Sequence, residues 1–402
     1  MALRHKHRVG FVSITAWAWV IALLAGCGGG GGSSADTAPP TAQALSAQAS
    51  LGQKIFNDAS LSASGRQSCA SCHSPDNAHA PANDLSVQMG GALLELQGRR
   101  ESPAIDYLAT NTAFHFAADG TPTGGFFWDG RADTLLSQAG QPFVTDFEMA
   151  NTDIADVVAK LARASYAADF QATFGADIFS RPAEAMQGVQ LALSQFQKED
   201  IGFRAFTSKY DEFLRGRVAL SDQETRGLAL FNDPTKGNCI ACHPSGKAAD
   251  GSFPLFTDFT FDNLGVPRNP AIARNADPSY HDLGLCERPE LAARADLCGA
   301  FKVPSLRNAG TRHSFFHNGA FHSLKDAVTF YVQRDTNPEK WYPVLPDGSI
   351  DKFDDLPAAY RRNVNTLEVP YNRHPGEAPA LSDAEVDDVI AFLQTLTDGY
   401  KP

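Results

Sequence analysis

Methionine is nearly absent from this chain. There are four in 402 residues. The last is Met186, so residues 187–402 offer a metal no thioether sulfur from methionine. Alternating apolar and polar runs, the mark of half-buried strands, are nowhere long enough for an extended sheet. Positive charge is also in deficit. The formal net charge of -12 disfavours nucleic acid and favours a basic protein partner through electrostatic steering. Cysteine is sparse, with seven residues, yet four of the seven fall in two short stretches that organise the chain.

Those stretches are Cys69-Ala70-Ser71-Cys72-His73 and Cys239-Ile240-Ala241-Cys242-His243. Each reads C-x-x-C-H, the attachment signature of a c-type haem. The two cysteines form thioether links and the histidine becomes the proximal iron ligand. A zinc knuckle needs four ligands in closed geometry, and no further Cys or His stands at finger spacing beside either stretch. A redox dithiol does not need the following histidine. The expected cofactor is therefore two covalently bound haem c groups.

The N-terminus speaks to location. Basic residues up to Arg8 precede an apolar run from Phe11 to Ala25, which ends in Leu24-Ala25-Gly26-Cys27. Residues 1–26 have the layout of an export signal. The ending is similar to a bacterial lipobox, with Cys27 lipidated as the first mature residue. An ordinary signal peptide and a membrane anchor are the alternatives, and the run is short for a spanning helix. Residues 27–50, rich in Gly, Pro, Ala and Ser, read as a lipid-anchored flexible tether. The expected location is periplasmic, with membrane contact through the lipid alone. Cys286 and Cys298 remain. In an exported protein they are expected to form a disulfide rather than stay as two buried thiols.

An internal repeat leads into the haem motifs. Gly52-Gln53-Lys54-Ile55-Phe56-Asn57-Asp58 precedes the first, and Gly227-Leu228-Ala229-Leu230-Phe231-Asn232-Asp233 precedes the second. Capping boxes at Ser221–Glu224 and Ser382–Glu385 mark helix starts. After the latter, Val386, Val389, Ile390 and Leu393 follow at helical spacing. Residues 154–170 and 183–196 are amphipathic helix candidates. The prediction is a mainly α protein with two tandem cytochrome c-like domains, 51–210 and 211–402. Between the first haem motif and residue 154 lies a long aromatic-rich segment with Gly125-Phe126-Phe127-Trp128-Asp129-Gly130-Arg131. Structured loops of that length tend to be functional.

These features together resemble the bacterial di-haem cytochrome c peroxidases and MauG-type enzymes, from about Leu51 to Tyr400. Trp128-Asp129-Gly130-Arg131, Gln138, Glu148-Met149, Pro304-Ser305-Leu306-Arg307-Asn308, Phe316-His317-Asn318-Gly319 and Leu324-Lys325-Asp326-Ala327-Val328 carry the likeness in family order. The resemblance implies a peroxidatic haem in the first domain and an electron-transfer haem in the second. It implies Glu148 as the acid/base at the open haem face, Gln138 lining that pocket and Trp128 as an electron relay. It also implies an interdomain calcium ion. The family's asparagine ligand is Glu101 here, and the carbonyl ligands would come from Arg312 and Ser314.

The chain departs from the peroxidase pattern at two points. Many of these enzymes carry a histidine that caps the first iron at rest. The only histidine in the corresponding loop is His79, too near His73 for that role, so the first haem is expected to be five-coordinate or water-bound. The second haem of the peroxidases is His/Met, but no methionine is available. Alignment on Phe316-His317 puts Tyr331 at that position, as in MauG-type enzymes. The alternative is a buried core tyrosine on one helix face with Leu324 and Val328, with His281, His313 and His322 as reserve ligands. His317 is expected to hydrogen-bond near the second haem.

The expected function is hydrogen peroxide reduction at an open His-ligated haem, with a His/Tyr haem storing or relaying electrons from a small cytochrome c or copper protein. The alternative is MauG-like oxidation of residues on a partner protein through an oxidised pair of haems. A non-catalytic electron carrier is a third class, against which the Glu148 and Gln138 pocket argues.

Overall fold

The computed structural model describes residues 43–402. Cys27, the export signal and most of the tether lie outside the described residues. Helix α1, Ala47–Asn57, starts within the stretch expected as tether, with the Ser46 side chain capping it through the Ala49 N–H. Helix α2 is a single turn, Cys69–Cys72. The rest of the first half contributes α3, Leu135–Gly140, α4, Ile154–Leu161, α5, Ala167–Phe174, and α6, Pro182–Glu199. The second half contributes α7, Lys209–Leu214, α8, Asp222–Asn232, α9, Leu324–Gln333, and α10, Asp383–Gln394. Strand content is three antiparallel pairs of two-residue strands: β1, Met89–Gly90, with β2, Leu96–Gln97; β3, His115–Phe116, with β4, Pro122–Thr123; and β5, Phe261–Asp262, with β6, Phe301–Lys302.

The two largest apolar cores among the described residues each form around a helix crossing. In the first, α1 lies on α6, burying Ile55, Phe56, Val189, Leu193 and Phe196. In the second, α8 lies on α10, burying Phe231, Val386, Val389 and Phe392. The first core ends at Phe203 and the second begins at Tyr210. The repeat seen in the sequence is what makes the crossings possible. A Cβ on Gly52 would lie 2.0 Å from the Ala192 carbonyl oxygen, and one on Gly227 would lie 2.0 Å from that of Asp388. Only glycine admits so close a backbone approach.

The segment 154–170, expected as one helix candidate, is two helices. The chain turns between Leu161 and Ala167, and Tyr166 hydroxyl donates to Asp58 Oδ2 at 2.7 Å. The break allows Val157, Leu161 and Phe170 all to reach the same core, which one straight helix would not.

Two further repeats emerge in the loops. Phe126-Phe127-Trp128-Asp129-Gly130 and Phe315-Phe316-His317-Asn318-Gly319 fold alike. Phe127 and Phe316 both have φ 65°, and the bridges Phe126↔Ala132 and Phe315↔Phe321 close the turns. Glu101-Ser102-Pro103 and Lys302-Val303-Pro304 likewise lead to left-handed residues, Tyr107 and Asn308, that start short 3-10 turns. The copies meet crosswise. Glu101 N–H donates to the His317 carbonyl and Lys302 N–H to the Trp128 carbonyl, each at 2.8 Å. Side chains reinforce the junction: Arg100 joins Asp129 to Asp282 at 2.5 and 2.6 Å, and Arg307, paired with Asp211 of its own half, lies against the Tyr107 ring at 4.7 Å.

Candidate haem sites and the junction between them

Each C-x-x-C-H stretch is wound so that its histidine N–H returns to the carbonyl of the first cysteine, at 2.9 Å for His73 and 2.8 Å for His243. Burial holds both imidazoles neutral, pushing each down to about 4. A neutral imidazole is the form that ligates iron. His243 Nδ1 lies 2.6 Å from the Phe256 carbonyl. A carbonyl can only accept, so Nδ1 carries the proton and Nε2 keeps its lone pair for a metal. His73 Nδ1 is buried without a hydrogen-bond partner. Burial also pushes the thiols of Cys69 and Cys239 up to about 12. That is the reverse of a reactive dithiol, whose thiolate must be stabilised.

The second stretch opens on a cavity of about 1530 Å³, counting space continuous with solvent. Cys239, Cys242 and His243 line it, as do Leu324, Val328 and Tyr331 from α9. Tyr331 thus lines the cavity while it also packs, with Leu324 and Val328, against the second core. Its ring lies 5.6 Å from Phe316 and 6.0 Å from Tyr371, centroid to centroid. No hydrogen bond to the Tyr331 hydroxyl is found among the described residues. An apolar cavity bounded by two cysteines, a neutral histidine and a tyrosine fits a covalent haem. His281, His313 and His322 do not line it. They bond to Asp355, Asp84 and Ser86 instead. His317 does line it, stacked on Phe301 at 3.5 Å, and burial pushes it down to about 3. Tyr371 and Lys302 are lining residues that sequence reasoning missed. Neither belongs to a spacing pattern that would single it out.

At the first stretch the neighbour is Glu148. Burial is the main cause that raises the Cys69 and Cys72 thiols, and the Glu148 charge adds to it at both. Burial raises the Glu148 carboxyl above the usual carboxylate range, and Arg131 opposes the shift. The hairpin of β1 and β2 fixes the Glu148 backbone: Gly91 N–H donates to its carbonyl at 2.8 Å. A Cβ on Gly90 would lie 2.3 Å from the Phe147 carbonyl oxygen, so a side chain there would push the hairpin away. Gln138 is half-buried on α3. His79 is buried, stacked on Phe203 at 3.8 Å, with Nδ1 2.7 Å from Asp106. It is held by the fold and is not poised over the first site.

Trp128 sits between the halves. It lines the second cavity, and its Nε1 donates to the Glu101 carbonyl at 2.8 Å. The expected calcium ligands are arranged differently from the expectation. Instead of offering carbonyls to an ion held by Glu101, Arg312 places its guanidinium on Glu101 Oε1, with Ser314 Oγ 3.5 Å from the same atom. Burial pushes Glu101 up to about 7 against the pull of Arg312. Glu101 Oε2 is buried without a donor. Calcium takes about 6–8 oxygen ligands. Among the described residues no group of three or more His, Cys, Asp or Glu is placed to hold a metal ion. One carboxylate already bearing a cation does not fit calcium. Cys286 and Cys298 are joined across a loop.

A fold with two such histidine–cysteine sites defines a c-type haem protein. Residues 46–219 match the family described as di-haem cytochrome c peroxidase. The methylamine utilization protein MauG of Paracoccus denitrificans is 35% identical over 380 residues, covering 92% of this chain and 93% of that protein. Cytochrome c peroxidase Ccp of Escherichia coli is 28% identical over 381 residues, covering 91% and 70%. The crystal structure of the diheme peroxidase BthA from Burkholderia thailandensis is 39% identical with a TM-score of 0.82, covering 89% and 88%. The chain belongs to the di-haem cytochrome c peroxidase and MauG family, and it is an oxidoreductase of that kind. No helix among the described residues is long and apolar enough to cross a membrane.

Proposed function

We propose that this protein reduces hydrogen peroxide at a haem held by Cys69, Cys72 and His73. In this reading a second haem, held by Cys239, Cys242 and His243 and closed by Tyr331, stores or relays the electrons. Each half is then one cytochrome c unit of a tandem pair. When bound, the haems supply the iron at which peroxide is reduced and through which electrons pass. The residues do the rest. His73, neutral, would hold the first haem. Glu148 accepts a proton from one peroxide oxygen and returns it to the other, while Gln138 lines the pocket. Trp128, tied to Glu101, relays electrons between the sites. A small cytochrome c or copper protein is the proposed donor. The periplasm is the proposed location, through a lipid on Cys27.

The half-buried Glu148 carboxyl, near enough for its charge to act on Cys69 and Cys72, carries this reading. Positioned proton transfer contributes about 10²–10⁴-fold to a rate. Glu148→Gln is expected to keep both haems and lose turnover by that order. A variant that reduces peroxide like the wild type refutes the assignment.

MauG-like oxidation of a partner protein is a second reading, favoured by Tyr331 in the second cavity. A tyrosinate donor stabilises ferric iron and so disfavours reduction by a high-potential donor. Peroxide-dependent mass shifts on a partner protein, without steady-state oxidation of reduced cytochrome c, would select it.

A further inference from the structure

We propose that the Arg312 guanidinium is a fixed internal cation that stands where calcium would act, clamping Glu101 so that Trp128 is held between the two haem sites without any metal. Glu101 is the hub. Its carboxylate is paired with Arg312, its N–H donates to the His317 carbonyl, and its carbonyl accepts from Trp128 Nε1. One residue thus ties the first half's tryptophan, the second half's histidine and an arginine 211 positions away. The ion pair is enclosed, with 12% of the Arg312 side chain and 1% of the Glu101 side chain exposed. Arg312 is itself held at the end of a short turn, its N–H donating to the Ala309 carbonyl at 3.3 Å.

Charge decides against a metal at this point. Glu101 and Arg312 cancel. A divalent ion added beside them would leave a net double positive charge in a buried site, a large desolvation cost with nothing to offset it. Arg312 acts through Glu101 on Trp128 and is a positioning residue, and its charge also reaches His73.

The inference stands on the ion-pair geometry and can fail while the peroxidase reading survives, because metal content is measured without turnover. The holoprotein is incubated with excess calcium, desalted, and analysed by elemental mass spectrometry. EPR and absorption spectra are then recorded with and without EGTA. The expected result is no stoichiometric calcium and spectra of both haems that EGTA leaves unchanged. Arg312→Ala is expected to change the spectra and to slow electron exchange between the haems by about tenfold or more. Arg312→Lys restores both, because a cation at Glu101 is what is required. Stoichiometric calcium in the wild type, or haem signals lost to EGTA, overturns the proposal even if Arg312→Ala does not fold. An Arg312→Ala holoprotein with unchanged spectra and exchange rate also overturns it.

Discussion

A group that accepts and returns a proton works best when its own affinity lies near the working pH. Burial moves Glu148 that way, with Arg131 opposing. A raised carboxyl pKa means the proton stays on to higher pH, so the base form is present only above the raised value. The acidic limb of peroxide turnover should therefore lie above the ordinary glutamate value of about 4.3, and Glu148→Gln should erase it. A limb at the ordinary position that survives the substitution would rule Glu148 out. At Tyr331 the issue is donor hardness. Tyr331→Phe leaves Cys239, Cys242 and His243 to hold the haem but removes an anionic oxygen. The reduction potential of the second haem should rise and its ferric spectrum should change. Spectroelectrochemistry that shows neither would return Tyr331 to an ordinary packing role.

Helix ends were written locally and could be read locally. Ser221 with Glu224 and Ser382 with Glu385 form both halves of their capping boxes, because capping depends on residues within one turn. The break between α4 and α5 was not readable. It is set by where Val157 and Phe170 must both be buried, not by the residues at 162–166. The matched turns at Phe127 and Phe316 were hidden for a related reason. A left-handed phenylalanine costs about 1–3 kcal/mol and persists only where its surroundings impose it, so propensity points away from it. Glu101 with Arg312 is further still from local pattern. Glu101 was read through family position as a calcium ligand, with Arg312 offering a carbonyl; the pairing of the Arg312 side chain with Glu101 was not legible. At the crossings, sequence and packing agree fully. Gly227→Ala places a methyl 2.0 Å from the Asp388 carbonyl oxygen. Forced overpacking of this kind costs about 1–3 kcal/mol or more. A thermal melt of the holoprotein should show a clear fall in midpoint, whereas Gly246→Ala, with nothing within 4 Å, should not.

Across the whole molecule, buried charge reaches between the halves beside apolar contacts such as Phe114 on Phe261 at 5.8 Å. Arg307 pairs with Asp211 and lies against the rings of Tyr107 and Phe206 at 4.7 and 4.5 Å. Tyr107 in turn donates to Asp398 at 2.5 Å. Removing one member of a buried pair strands the other, at a cost of about 3–5 kcal/mol. Asp211→Ala should lower the denaturant midpoint by a corresponding amount. A midpoint within error of the wild type would mean that the junction does not depend on this pair.

The crosswise hydrogen bonds have a two-fold pattern. Glu101 answers to Lys302 and Trp128 to His317 in the repeated turns, and each reaches the other's counterpart. Residue i touching j while j touches i is the geometry of a two-fold dimer of identical subunits. Here the same reciprocal geometry lies within one chain. Identical subunits must place the same residue at both ends of such a contact. A single chain is free of that symmetry, so an acid can stand opposite a base and an indole opposite an imidazole. Once the two ends differ, the two sites they join need not be alike.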